Sequence, residues 1–129
     1  MKIYSKIDDR ADFLYPESYI ATISREPGVD LEPWWFIAYE EGDVNSWYKI
    51  LKSLYPTREL IPFAKFSAND DVACFDGSDN TGNPKILIIH AFASEGWEHH
   101  GTVENFDDWL KIAFETKKAW SEEDGPLHP

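Results

Sequence analysis

The sequence predicts an α+β fold: a single domain with a mainly antiparallel central sheet flanked by helices. Two helical periodicities bracket a run of short extended segments, and regular βαβ alternation is missing. The extended run is clearest from Leu60 to Asp76, LIPFAKFSANDDVACFD. Pro62 fixes its own φ and biases Ile61 towards an extended backbone, so a strand begins there. Ala64, Phe66 and then Val72 to Phe75 supply a second extended stretch. The polar Ser67, Asn69, Asp70 and Asp71 between them are turn formers, which makes the segment a hairpin.

The remaining elements follow in chain order. Pro16 and Glu17 suit a first helical turn, and Tyr19, Ile20 and Ile23 recur at helical spacing up to Arg25, where Pro27-Gly28 stops the helix. Leu31 to Tyr39 is rich in aromatic and aliphatic residues and predicts a strand, with Glu40, Glu41 and Gly42 turning the chain. Asp43 can cap a helix whose apolar positions Val44, Trp47, Ile50, Leu51 and Leu54 make one buried face, ended by Pro56. After the hairpin, Gly77 to Pro84 is a concentrated turn segment. Ile86 to Ala93 is apolar on both alternate sets and predicts the central strand, covered on both faces. A short neighbouring strand is expected within Trp97 to Val103. Asn105 can cap a last helix, with Asp108 three residues on and Phe106, Trp109, Leu110, Ala113, Phe114 and Lys117 as its stripe. The domain is expected to span residues 1–120, with 121–129 a flexible acidic tail.

A chain of 129 residues with six Trp can bury a large aromatic core without disulfides or metals. The lone Cys74 forms no internal disulfide. Met1 to Tyr4 runs straight into charged residues, and no apolar run approaches the roughly 20 residues of a membrane span, so the expected location is the cytoplasm. Twenty-four acidic against twelve basic residues give a net charge of -12, which argues against nucleic acid or an anionic membrane as a partner. The excess is concentrated: Phe66 to Leu110 holds nine acids and one base, and Glu26 to Tyr48 holds six acids and no Lys or Arg. Such a field either keeps the protein soluble or accelerates encounter with a basic partner.

Several residues have the types of a catalytic or metal-binding constellation. Cys74, with His90 as base and Asp76 as orienter, has the residue types of a thiol nucleophile. Yet Cys74 lies in the apolar run Val72-Ala73-Cys74-Phe75 with no neighbouring cation, which favours a small buried hydrophobe. His99 and His100 are adjacent, so in a regular strand they face opposite ways. A His90 and His99 pair with Glu95 or Glu98 matches no ligand spacing. Asp76 to Gly82 has calcium-loop ingredients, but the twelfth position is Leu87 rather than Glu. No phosphate loop or dinucleotide fingerprint occurs. The expectation is a non-enzyme with no metal and no cofactor.

The order of features resembles a known family. Tyr15-Pro16-Glu17-Ser18-Tyr19, Leu31-Glu32-Pro33-Trp34 and a helix bearing Trp47 come first. Leu60-Ile61-Pro62-Phe63-Ala64, Asp70-Asp71-Val72-Ala73-Cys74-Phe75-Asp76 and Phe106-Asp107-Asp108-Trp109-Leu110 follow. This series, across about residues 13 to 115, is similar to the SUKH superfamily, although Pro27-Gly28 stands where the family commonly has Asn-Gly. Fungal members of that family include cell-wall-synthesis regulators, and bacterial members are largely immunity proteins of polymorphic toxin systems. The resemblance implies a non-catalytic module that covers the active site of a basic, nuclease-type toxin domain. It is expected to act as a monomer or weak dimer. The alternatives are a regulatory or scaffolding adaptor of the same fold and, from a different class, a small metal-dependent hydrolase built around His90, His99 and nearby carboxylates. For a binding surface, acids beside exposed aromatics are the best candidates. These are Asp70, Asp71, Asp76 and Asp79 at the hairpin ends, Glu95 and Glu98 around Trp97, and Trp34 and Trp35, which alternate across a strand so that at least one can be exposed. Trp47 and Trp109, on buried helix stripes, are assigned to the core.

Overall fold

The hairpin anticipated around Pro62 is the middle of a five-stranded antiparallel meander in the order β1-β2-β3-β4-β5. A computed structural model describes residues 12–40, 43–94 and 96–123, without the side chains of 122 and 123. Expectations resting on residues 1–4, 41–42, Glu95 and 124–129 lie outside the described residues. The strands are β1 (Trp34–Phe36), β2 (Leu60–Phe66), β3 (Asp71–Asp76), β4 (Ile86–His90) and β5 (His99–Val103). The helices are α1 (Glu17–Ile23), α2 (Asp43–Leu54) and α3 (Phe106–Glu123). A register shift between Pro62 and Ala64 accommodates the proline, which lacks an N–H for a ladder bond. The β2–β3 turn is tied by the Asp71 N–H donating to Asn69 Oδ1 at 2.8 Å and by Lys65 Nζ donating to the Asn69 carbonyl at 2.7 Å.

Two expectations about the sheet are corrected. The strand expected over Leu31 to Tyr39 is only three residues long, and Ile37–Tyr39 forms a 3₁₀ turn. Phe36, Ile37 and Ala38 are all buried, and consecutive inward residues suit a tight turn better than the two-sided alternation of a strand. The central strand is β3, not β4. Val72 to Phe75 are all fully buried, whereas Leu87 and Ile88 of β4 are only partly covered. The extended run also stops at His90. Phe92, at φ 68°, turns the chain in the left-handed region where a bulky side chain is strained.

The aromatic content is spent on one core. Tyr19 of α1 and Phe106 and Trp109 of α3 pack on Phe36, Phe63 and Phe75 of the sheet, with Phe63 stacked on Phe75 at 4.3 Å and edge-on to Trp109 at 4.8 Å. Such pairs add about 0.5–1.5 kcal/mol each beyond area burial. Asn105 caps α3 as its position suggested, its Oδ1 accepting the Asp108 N–H at 2.9 Å. Phe114, grouped by spacing with the buried stripe, is exposed instead. Trp47 is only partly buried, its ring 6.2 Å from that of Phe92.

Candidate metal centre

Asp71 opens β3 and His90 closes β4, and the two are paired directly across the sheet. By strand alternation Asp71 lies on the same face as Phe75, so this pair continues the aromatic face to its open end. The Nδ1 of His90 lies 3.0 Å from Asp71 Oδ1. The Nδ1 of His100, from β5, reaches the same oxygen at 2.8 Å, and the two imidazole centroids are 5.1 Å apart. Three neighbouring strands thus each deliver one group to one corner.

His100 reaches that corner because of a bulge. Ile86 pairs with Val103, Leu87 with Thr102 and Ile88 with Gly101, but Ile89 then pairs with His99, leaving one extra residue in β5. Uninterrupted pairing would set His100 opposite Ile89 and His99 opposite His90. The bulge exchanges them. His99 instead lies 3.1 Å, through its Nε2, from Thr102 Oγ1, on the face away from the cluster.

One ligand atom from each of Asp71, His90 and His100 lies within 4.8 Å of the others. Around a transition metal with bonds of about 2.0–2.1 Å, adjacent ligand atoms stand roughly 3.0–3.4 Å apart, so the 2.8 and 3.0 Å separations need only small adjustments to accept an ion. Side-chain exposure falls from 53% at His100 and 39% at His90 to 13% at Asp71. The carboxylate is the floor and the imidazoles form an open rim. Two histidines and one carboxylate with vacant positions is a donor set of catalytic rather than closed structural sites. The expectation of a non-enzyme without metal ligands is therefore corrected: this triad is suited to metal coordination and is consistent with catalysis. In the alternative of a metal hydrolase around His90, His99 and nearby carboxylates, the histidine grouped with His90 is His100 rather than His99, and the carboxylate is Asp71.

The residues nominated for partner binding separate into two groups. Trp34 is 8% exposed and packs edge-on against Trp109 and Phe66, so it belongs to the core while its neighbour Trp35 faces outward. Asp71 is committed to the two imidazoles. Glu98 is 4% exposed, its carboxylate accepting the Arg58 Nε–H at 2.5 Å and the Gly96 N–H at 2.7 Å. Burial pushes the Glu98 carboxyl up, but its backbone hydrogen bonds and the Arg58 guanidinium outweigh burial and hold it below the usual carboxylate range. These three are therefore largely covered within the fold, their polar groups satisfied by internal partners where they have them. Asp70 is exposed, and Trp97 is 80% exposed. Asp76 ends β3 and Asp79 lies in the loop after it, Asp76 Oδ1 accepting from the Ser78 N–H and hydroxyl and Asp79 Oδ1 from those of Thr81. The Thr81 hydroxyl and N–H hold the Asp79 carboxyl below its ordinary range. Glu95 lies outside the described residues.

Cys74 is fully buried, and burial pushes its thiol far up, which leaves it without thiolate character at neutral pH. An open cleft of about 530 Å³ is lined by Leu14 to Ser18, Thr81 to Asn83 and Asp107, none of them in the triad. Among the described residues no helix is long and apolar enough to cross a membrane. Comparison of the chain with protein-family models, with curated proteins and with solved structures finds no match, and what the corner can do is read from its own geometry.

Proposed function

We propose that this protein is a small metal-dependent hydrolase whose ion is held by Asp71, His90 and His100. One observation carries the reading: two imidazole nitrogens converge on a single, nearly buried carboxylate oxygen at 2.8 and 3.0 Å. A divalent ion with open positions supplies Lewis acidity and acidifies a bound water. The residues supply the rest. Asp71 supplies a carboxylate at the nearly buried floor of the corner, which favours a cation, and imidazole ligands from His90 and His100 would add no charge, leaving net positive charge on the ion. Both imidazoles use Nδ1, so binding an ion exchanges each Nδ1 contact with Asp71 for a contact with the metal. The sheet holds all three on rigid strands rather than on loops.

The test is uptake and turnover together. Purified full-length protein is assayed for zinc, cobalt and manganese content, then for hydrolysis of p-nitrophenyl acetate and bis-p-nitrophenyl phosphate, before and after chelation. The expected result is one ion per chain and metal-restored turnover of at least one probe, both lost in Asp71→Ala. Lack of uptake at micromolar free metal overturns the proposal.

A second reading has its own support. Trp97 and Phe92 are large apolar residues left in solvent on the β4–β5 connection, and Asp70 lies exposed beside β3 in an acidic third of the chain. An exposed tryptophan within an electronegative surface suits a basic protein partner. The toxin-neutralising role implied by the SUKH resemblance belongs here. It predicts that coexpression with a basic toxin domain restores growth for wild type but not for Trp97→Ala combined with Asp70→Lys; equal rescue by both proteins overturns it.

A further inference from the structure

We propose that Glu98 and Arg58 are positioning residues that decide which of the consecutive histidines, His99 or His100, completes the metal site; this rests on the metal reading above. The sequence offers β5 two registers. In the bulged register His100 shares the face of His90 and Asp71, and in the unbulged one His99 takes that place. Either histidine is the right residue type, so ligand chemistry does not choose between them. The choice is made one residue before the pair. The His90 N–H donates to the Glu98 carbonyl at 2.7 Å, which continues the shifted pairing past the bulge. The Glu98 carboxylate is held by Arg58 Nε at 2.5 Å and by the Gly96 N–H at 2.7 Å.

Arg58 is itself anchored just beyond α2, its N–H donating to the Tyr55 carbonyl at 3.0 Å. The Tyr55 hydroxyl donates to the Ala93 carbonyl at 2.9 Å, fixing the other side of the same connection. Sliding β5 by one residue would carry Glu98 about 3.4 Å along the strand. That displacement carries a buried carboxylate away from the Arg58 guanidinium, which sits on a different segment, a strongly unfavourable change. The ion pair between Arg58, in the connection after α2, and Glu98, just before β5, therefore holds the bulge, and the bulge presents His100.

The experiment uses cobalt(II) as probe on the full chain, reading affinity and the visible absorption of the bound ion. Wild type and His99→Ala should give the same spectrum and affinities within twofold, and His100→Ala should weaken binding at least 100-fold. Glu98→Gln should weaken binding 10- to 100-fold, the range for groups that orient ligands, and should shift the absorption bands. In the Glu98→Gln background, His99→Ala should cost at least a further fivefold, because His99 now shares the ligand role. Arg58→Gln, which removes the cation beside Glu98, should weaken binding over the same range and serves as the comparison if Glu98→Gln does not fold, whereas Arg58→Lys should keep most of the affinity. Wild-type affinity and spectrum in folded Glu98→Gln, with His99 still irrelevant, overturn the positioning role alone. Absence of cobalt uptake by wild type overturns the metal reading and this inference with it.

Discussion

Replacing His100 by Ala, with His99→Ala as its control, separates the bulged sheet from the regular one in a single measurement. Zinc stabilises the folded state by RT ln(1 + [Zn]/Kd), about 2.7 kcal/mol when free zinc is 100 times Kd. For 129 residues the entropy of unfolding is about 0.27 kcal/mol per kelvin, from ~2.1 cal/mol/K per residue, so that stabilisation raises Tm by about 10 °C. His100 contributes one of the three ligand atoms and only two would remain. With a Kd raised 100-fold, the same zinc concentration gives about 0.4 kcal/mol and about 1.5 °C. His99 contacts Thr102 and not the cluster, so His99→Ala should keep the full shift. The assay is thermal unfolding followed by circular dichroism at fixed free zinc, with chelator reversal. A full shift in His100→Ala with loss in His99→Ala would refute the bulged register, and no shift in wild type would refute the metal centre.

Four further outcomes are expected. Trp109→Ala removes a fully buried ring packed on Trp34, Phe36, Phe63 and Phe106 and should cost about 3–5 kcal/mol, measured by urea unfolding; a loss under about 1 kcal/mol would refute the core assignment. Asp71→Asn keeps the size of the side chain but removes its charge, so metal uptake should fall at least tenfold while the far-ultraviolet dichroism is unchanged. Because the Glu98 carboxyl titrates below its ordinary range when folded, its contribution to stability is present above the unfolded carboxyl range and is lost as pH falls through the folded value. Glu98→Gln should accordingly be less stable than wild type at pH 7, with the gap narrowing below about pH 4; a constant gap in urea unfolding at pH 7 and 3 would contradict this. Trp97→Ala should leave stability within about 0.5 kcal/mol, since the residue is 80% exposed.

Much of the fold is readable along the chain because its signals are local. The alternating steps of Phe106, Trp109 and Ala113 describe one face of α3, and Asn105 stands where a cap is required; both hold in the structure. The β2–β3 hairpin follows from two extended runs around a polar tetrad, and the burial of Cys74 from its apolar neighbours. His90 also stands out in the sequence as a polar residue interrupting an apolar run. The candidate site was legible only in that piece. In sequence Asp71 reads as part of a binding edge, and His99 rather than His100 falls beside His90, since strict alternation is all that a lone strand reveals.

Residue types and their periodicity were enough to determine an acidic α+β molecule with an aromatic core, because burial stripes depend on spacings of two to four residues. Tertiary structure alone decided that Asp71, Glu98 and Trp34 turn inward, that β3 is the centre of the sheet, and that His100 shares a corner with residues 10 and 29 positions earlier. The physical reason is that a bulge is selected by competing cross-strand contacts. Here the deciding contact is an ion pair between residues 40 positions apart, a separation to which no local propensity is sensitive.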